Sequence, residues 1–233
     1  MRSHLLPGSG ARADRPPPLD YRPPHAPYIP LAFLDDETAV VDKPSGLLSV
    51  PGKTADLADC AEARLKALLP IAHTVHRLDM DTSGLLIFAR TKAGQRALSG
   101  QFERREIEKT YHALVFGAPE ADRGEVDLPL RADWPNRPRQ MVCHEHGKPS
   151  RTIWEVEARR GETTLMRLTP VTGRSHQLHV HMASAGWPIL GDPFYADAPA
   201  RGAPRLMLHA SRLVWRCPAT GERRETASAP PFL

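Results

Sequence analysis

The chain has few cysteines, and they are scattered. Cys60, Cys143 and Cys217 are the only three in 233 residues, and no two form a Cys-x-x-Cys pair. An odd, dispersed set of thiols argues against a disulfide framework and fits a reducing compartment. Long apolar runs are also missing. None approaches the roughly 20 residues that a membrane-spanning helix needs, and mean hydropathy is −0.41. Met1 to Pro7 contains no secretory apolar region, so a cytoplasmic location with no membrane partner is expected. Lysine is scarce, at six of 31 basic residues, which leaves 25 arginines. The net charge of +4 is too small to argue for a polyanionic partner by itself. Arginine's planar fork suits phosphate and stacks on bases, but a GC-rich genome also raises Arg, Ala and Pro. Nucleic-acid binding is therefore permitted by composition and not shown by it.

What is present points to a folded chain. Hydrophobic residues make up 41% and charged residues 25%, which excludes wholesale disorder. The length suits one large or bilobed domain that needs no disulfide or metal staple. Eight of the 24 prolines fall in the first 30 residues, including Pro16-Pro17-Pro18. Residues 1–28 read as a flexible, Pro-rich arm, with order beginning near Ile29. Ala39-Val40-Val41 reads as a strand that feeds a Ser45-Gly46 turn. From Asp56, apolar residues recur at helical spacing through Leu68 and stop at Pro70. Gly84 to Ala89 is short and continuously apolar, like a buried strand. Thr91 can cap a second helix that runs to about Arg104. The second half reads mainly as strands. Tyr111, Ala113 and Val115 alternate with more polar positions, and Ile153–Ala158 and Thr164–Thr169 flank an Arg160-Gly161-Glu162 turn. Ser175 to Ala185 reads as a helix closed by Gly186. Leu206–His209 and Leu213–Trp215 read as two further strands. Strands that mostly follow strands favour an α+β fold with a mixed, largely antiparallel sheet.

Three polar segments beside apolar runs are candidate sites. His76-Arg77-Leu78-Asp79-Met80-Asp81-Thr82-Ser83-Gly84 places carboxylates just before a buried strand, a fixed position that suits a catalytic group. Such an Asp can equally be a turn or cap residue. Val171-Thr172-Gly173-Arg174-Ser175-His176-Gln177-Leu178-His179-Val180-His181 precedes and enters a helix, and Arg174 there can hold a phosphate or orient a carboxylate. Its histidines invite a metal reading, as does Cys143-His144-Glu145-His146, but neither run supplies a full ligand set, and no metal is expected. Glu108 to Val115 carries Tyr111, either a core residue or a stacking platform with a polar tip.

Taken together, these segments resemble the RluA-type pseudouridine synthases. His76-Arg77-Leu78-Asp79 followed by Thr82-Ser83-Gly84-Leu85-Leu86 resembles the family's central motif. Asp42 to Gly52 resembles the first. Lys109-Thr110-Tyr111 and Thr172 to Leu178 resemble the third and fourth. Gly191-Asp192-Pro193-Phe194-Tyr195 and Arg205 to Ala210 resemble the closing segments. The match runs from about Ile29 to the C-terminus in collinear order, so residues 29–233 are expected to form the catalytic domain, with no added S4 RNA-binding domain. Asp127 to Ser150 is similar to the dual-specificity RluA subgroup. One position departs: His179 stands where the family usually has Arg, a change expected to affect a phosphate or base contact and not Asp79.

The resemblance implies a mixed, mostly antiparallel sheet with a central cleft, into which a uridine of the RNA is flipped. The N-glycosidic bond breaks, the base rotates, and a carbon–carbon bond forms to C5, with no cofactor. Asp79 is the implied nucleophile or ion-pair stabiliser, Arg174 its cationic partner, and Tyr111 the residue that stacks on the uracil. Arg77 is expected to fill the space left by the flipped base, and His76, Thr82 and Leu178 to contact the substrate or brace its loop. The expected substrates are the uridine at the upstream edge of a tRNA anticodon loop and one in a 23S ribosomal RNA hairpin, bound by a monomer. Arg131, Arg137 and Arg139 beside Trp134 are candidate RNA contacts, against the plainer reading of a solvated loop with one buried Trp. Two other functions compete. Asp79-Met80-Asp81-Thr82 superficially resembles the paired aspartates of Mg-dependent, aspartate-nucleophile phosphatases, but there the strand precedes the motif, whereas here it follows. A catalytically inactive RNA-binding assembly factor is the other, but a carboxylate set among phosphate contacts repels RNA and serves no purpose in binding alone.

Overall fold

The computed structural model describes residues 20–233. Residues 1–19 of the expected arm lie outside them. The end of that arm is held to the body: Tyr21 Oη donates to Asp59 O at 2.7 Å and accepts from Leu48 N at 3.0 Å.

In chain order the elements are β1 (Leu31–Leu34), β2 (Thr38–Lys43), α1 (Ala61–Leu68), β3 (His73–Thr74), β4 (Ser83–Ala89), α2 (Lys92–Glu103), β5 (Glu108–Phe116), β6 (Arg123–Asp127), β7 (Leu130–Ala132), β8 (Gln140–Val142), β9 (Arg151–Arg160), β10 (Thr163–Pro170), α3 (Gln177–Ser184), α4 (Ala198–Arg201), β11 (Leu208–Arg216) and β12 (Arg223–Ala227). Ten strands form one sheet, ordered β1-β2-β4-β11-β5-β10-β9-β6, with β12 beside β11 and β3 beside β4, while β7 and β8 form a separate hairpin. Among the described residues, all strand pairs are antiparallel except β4 with β11. The α+β class with a mostly antiparallel sheet is as the sequence implied.

Period-two patterning explains the core. Strand β4 is buried along its whole length, and its alternate residues feed different clusters. Leu86 and Phe88 face α1, together with Val41, Leu47 and Leu65. Leu85, Ile87 and Ala89 face α2, with Leu98 and Trp215. A strand covered on both faces reads as one apolar run, because both sets of side chains are dry. The second half of the chain has its own cluster, built from Met166 and Leu168 of β10, Leu178 and Met182 of α3, and Trp154 of β9. Burying each such side chain contributes about 1.5–3 kcal/mol. Tyr111 packs against both the α1-side cluster and the second-half cluster, so it lies at their junction.

Three local differences from expectation have physical causes. The helix expected from Asp56 instead begins at Ala61, after a single 3₁₀ turn at Ala55–Leu57. The Ala61 and Glu62 amides bond to Leu48 O and Ser49 O, which fixes the helix start against the first-motif loop. The two strands expected between Leu206 and Trp215 form one, β11. It is interrupted by a register shift at Ser211, whose hydroxyl donates to Thr110 O. The helix expected from Ser175 begins at Gln177, because His176 is left-handed (φ 49°) and the Gln177 side chain accepts from Arg174 N at 3.1 Å.

The parallel contact is short, pairing His209 with Ser83 and Ala210 with Gly84. It requires glycine. Gly84 has φ +108°, and a Cβ there would lie 2.3 Å from Ala210 O. Gly84→Ala combines a strained backbone with a backbone clash, each costing about 1–3 kcal/mol. The expected result is a thermal midpoint lowered by roughly 5–15 °C in calorimetry. An unchanged midpoint would show that the joint tolerates separation.

Candidate active site

The joint between β4 and β11 positions a cavity of about 830 Å³ in which the expected site residues meet. Its lining includes His76, Arg77, Asp79, Thr82, Tyr111, Arg174 and Leu178. The site is built first from the loop that carries Asp79. Ser49, buried, clamps Leu78 on both sides: its hydroxyl donates to Leu78 O at 2.6 Å and accepts from Leu78 N at 3.0 Å. Lys43 Nζ, fully buried, donates to Leu47 O, Met80 O and Pro44 O at 2.6–3.0 Å. Ser45 Oγ donates to Asp81 O, and the Gly46 amide donates to Met80 O. The turn closes with Thr82 N donating to Asp79 O at 3.2 Å. The first motif thus holds the second in place and needs no reactive role of its own. Burial pushes the Lys43 ammonium down to about 7, with Asp81 and Asp79 opposing that shift.

The second wall is the segment before α3. Gln177 ties it down: its amide donates to Arg151 O and Thr152 Oγ1, and its carbonyl accepts from Thr172 Oγ1 and Arg174 N. Tyr111 stands on β5 at the cavity floor. Burial and the nearby Asp79 push its phenol well above the usual range, so its hydroxyl stays protonated at neutral pH. His76 accepts the Ile87 amide hydrogen at Nε2 and stacks on Phe102 at 4.5 Å. Burial, followed by the charge of Lys109, pushes it down to about 3, so it is neutral. Its ring braces β4 as well as lining the cavity. Leu178 faces inward as part of the second-half core. Thr82 is buried, and its hydroxyl has no partner among the described residues. Arg77 is exposed at the rim.

One expectation is corrected. Arg174 lines the cavity but is exposed, and its Nε donates to Pro149 O at 3.4 Å. It does not pair with Asp79 in this structure, because Gln177 anchors its backbone and its side chain lies toward Pro149. Among the described residues, the basic groups within 4.0 Å of the Asp79 oxygens are two imidazoles, His179 Nε2 at 3.7 Å and His176 Nε2 at 4.0 Å. The substitution at position 179, expected not to concern Asp79, lies directly against it. His179 Nδ1 in turn meets Asp192 Oδ2 at 2.8 Å. His176 Nδ1 meets Tyr195 Oη at 2.8 Å, and that hydroxyl accepts from Gln140 N on β8.

The third histidine, His181, is turned away. Its nitrogens meet Thr152 Oγ1 and Leu128 O. Cys143 and His146 lie in the turn after β8, bonded to each other through the His146 amide. Among the described residues, no three His, Cys, Asp or Glu side chains are placed to share a metal ion. Trp134 is 67% exposed, so the reading of a single buried Trp fails. Arg137 stacks on its ring, and Arg139 lies over Tyr195 at 5.3 Å. The motif order also holds in three dimensions: β4 follows Asp79, opposite to the order in the phosphatases.

The chain is similar in sequence and in fold to known proteins. Residues 37–184 match a family model described as RNA pseudouridylate synthase. The chain is 50% identical over 216 residues to the dual-specificity RNA pseudouridine synthase RluA of Pasteurella multocida (strain Pm70), covering 92% of this chain and 99% of that protein. It is 52% identical over 204 residues to the protein of the same name from Escherichia coli (strain K12), covering 87% and 93%. The structure of human RNA pseudouridylate synthase domain containing 1 superposes with a TM-score of 0.75 at 28% identity, covering 88% of this chain and 84% of that one.

The Ser49 clamp can be tested without substrate. Ser49→Ala leaves the buried Leu78 amide and carbonyl unpaired, at about 1–3 kcal/mol each. Stability should fall by roughly 2–5 kcal/mol, and the Leu78 amide should exchange with solvent faster. Unchanged exchange at Leu78 would mean the Asp79 loop is held by other contacts.

Proposed function

The chain belongs to the RNA pseudouridylate synthase family and is an RNA pseudouridine synthase, and from that premise we propose that it acts in the cytoplasm, as a monomer, on a uridine at the upstream edge of a tRNA anticodon loop and on one in a 23S ribosomal RNA hairpin. The observation that carries the catalytic assignment is the meeting of Asp79 and Tyr111 in one cavity at the joint between the two halves. The two relatives named above are both called dual-specificity RNA pseudouridine synthases, and this chain is about half identical to each.

The chemistry follows from the balance of the isomerisation. The C1′–N1 bond breaks and a C1′–C5 bond forms. The proton on C5 leaves, and N1 gains one. A flipped base must exchange water and its stacking neighbours for protein contacts, which is cheapest from a loop. Tyr111 supplies a flat face for the uracil and a protonated hydroxyl near the exchanging proton. Asp79 acts as nucleophile or stabilises the charge that develops as the glycosidic bond opens. Arg77 at the rim takes the place of the flipped base, and Arg174 binds phosphate from the exposed loop. Arg131, Arg137 and Arg139 add backbone contacts, and exposed Trp134 offers a stacking surface for an unpaired base. This footprint suits a short hairpin, whatever larger RNA carries it.

Asp79→Asn keeps the shape of the side chain and removes its charge. Turnover should fall by roughly four or more orders of magnitude, while RNA binding persists or strengthens slightly because a repelling charge has gone. Single-turnover pseudouridine formation and filter binding on the same RNA read both. Measurable turnover by the pure variant would remove Asp79 from the mechanism. An isolated anticodon stem-loop should react at a rate comparable to intact tRNA, with the ribosomal hairpin competing for the same site. Inert hairpins would defeat the dual-substrate reading and leave the family assignment standing. Because the proposed chemistry runs through a carboxylate, turnover of a prefolded hairpin should survive EDTA.

A further inference from the structure

We propose that His179, buttressed by Asp192, is the cationic partner of Asp79 in this chain and serves as a positioning residue for the reaction. The inference rests on the catalytic reading of Asp79 given above. The His179 ring is buried between two carboxylates, with Nδ1 2.8 Å from Asp192 Oδ2 and Nε2 3.7 Å from Asp79 Oδ2. Nε2 is buried and has no hydrogen-bond partner among the described residues. A neutral imidazole carries one proton, so in either tautomer it would turn a lone pair toward a carboxylate. Only the imidazolium presents N–H to both. Asp192 is itself immobilised. It is buried, and its other oxygen accepts the Phe194 and Tyr195 amides at 2.9 and 3.2 Å. Burial raises the pKa of this carboxyl, but the hydrogen bond and charge of His179, followed by those two amides, hold it below its ordinary value.

The remaining groups around the ring favour the same state. From the start of α3, the His176 ring lies 5.2 Å away, and from the loop after α3 the Tyr195 ring lies at 6.0 Å. From the Asp79 loop come Asp79 and Asp81. Lys43 lies beneath that loop, and Arg174 lines the same cavity. Burial disfavours a charged His179, but the hydrogen bond and charge of Asp192, followed by the charges of Asp79 and Asp81, more than offset it and raise its pKa above the ordinary 6.5. Burial lowers His176, which stays neutral at the same pH.

The consequence is specific to this residue. Where the resemblance leads one to expect arginine, the charge would persist at any accessible pH. Histidine loses its charge as pH rises through its raised pKa, and Asp79 then loses its counter-ion. Turnover should therefore show an alkaline limb, with the logarithm of the rate falling at a slope of about −1.

The experiment combines kinetics with an activity-independent readout, using the full chain and a synthetic anticodon stem-loop. Wild-type single-turnover rates should fall above the His179 pKa. His179→Arg should remain active and lose that limb. His179→Gln should be slowed about 100-fold or more at neutral pH, with little change in RNA affinity. Asp192→Asn should move the limb to lower pH. Imidazole NMR of the RNA-free protein should show His179 protonated at neutral pH, with its pKa lowered in Asp79→Asn and in Asp192→Asn. A neutral His179 in the wild-type spectrum, an alkaline limb that persists in His179→Arg, or a wild-type profile in His179→Gln would each overturn the pairing. Turnover by Asp79→Asn would instead overturn the catalytic reading beneath it, and the NMR titration keeps the two failures apart.

Discussion

Strands β4 and β11 run side by side for only two residue pairs, Ser83 with His209 and Gly84 with Ala210, and there the two halves of the sheet meet. The approach is so close that the Gly84 position has no room for a side chain. Asp79 leads directly into β4, Tyr111 sits on β5 opposite Ala210, and the cavity opens above them. A buried polar network reinforces the joint. Ser83 Oγ meets His209 Nδ1 at 2.8 Å and accepts from Arg205, while His209 Nε2 meets Ser228, which bonds Asp42. Burial pushes His209 down to about 4 despite the charge of Asp42, so it is a neutral connector. These groups touch no substrate in this account. They fix the distance between the two walls, and an error of about 1 Å in such a distance can cost two orders of magnitude in rate.

Within that frame the Asp79 carboxylate, itself partly exposed to the cavity, is set against two buried imidazoles. A loop with five polar ties to the first motif holds Asp79 still. The two imidazoles then face it in different protonation states, because burial disfavours charge on both and Asp192 hydrogen-bonds only His179. His176 meets a phenol and stays neutral, whereas His179 meets a carboxylate and is drawn toward its cationic form. For His179 the second partner, more than the distance from Asp79, offsets the cost of burial.

Much of this was legible in the sequence, and what was not has identifiable reasons. Strand β4 was readable because burial on both faces makes it one apolar run. Helix α2 was readable because Thr91 caps it, accepting from Gly94 N at 2.9 Å. Strands β1, β6 and β12 were not readable, because they are short, partly exposed and in part charged, as edges of a sheet tend to be. Asp79, Tyr111 and Arg174 were found through the resemblance and do share one cavity. The partnership between Asp79 and Arg174 was not found, because a motif says which residues are near a site and not which way a side chain turns. His179 was visible as a departure, and Asp192 was visible only as part of a closing segment. Their pairing spans 13 residues and a loop, so no local pattern reports it. The burial of Lys43 under three carbonyls was not legible, because it depends on how the first-motif turn and the Asp79 loop fold together.

The proposed isomerisation depends on the position of the Asp79 carboxylate, held at the joint, as well as on its charge. Forming the new C1′–C5 bond expels the hydrogen on C5, so tritium release from RNA labelled at C5 of uridine reports the step itself. The direct measurement compares wild type with Asp79→Glu, which keeps the charge and extends it by one methylene. At equal RNA occupancy, the wild type should release one tritium per uridine converted, and Asp79→Glu should release none above background. Release by Asp79→Glu at a rate near that of the wild type would contradict the account, because a carboxylate displaced from its clamped position would then serve as well.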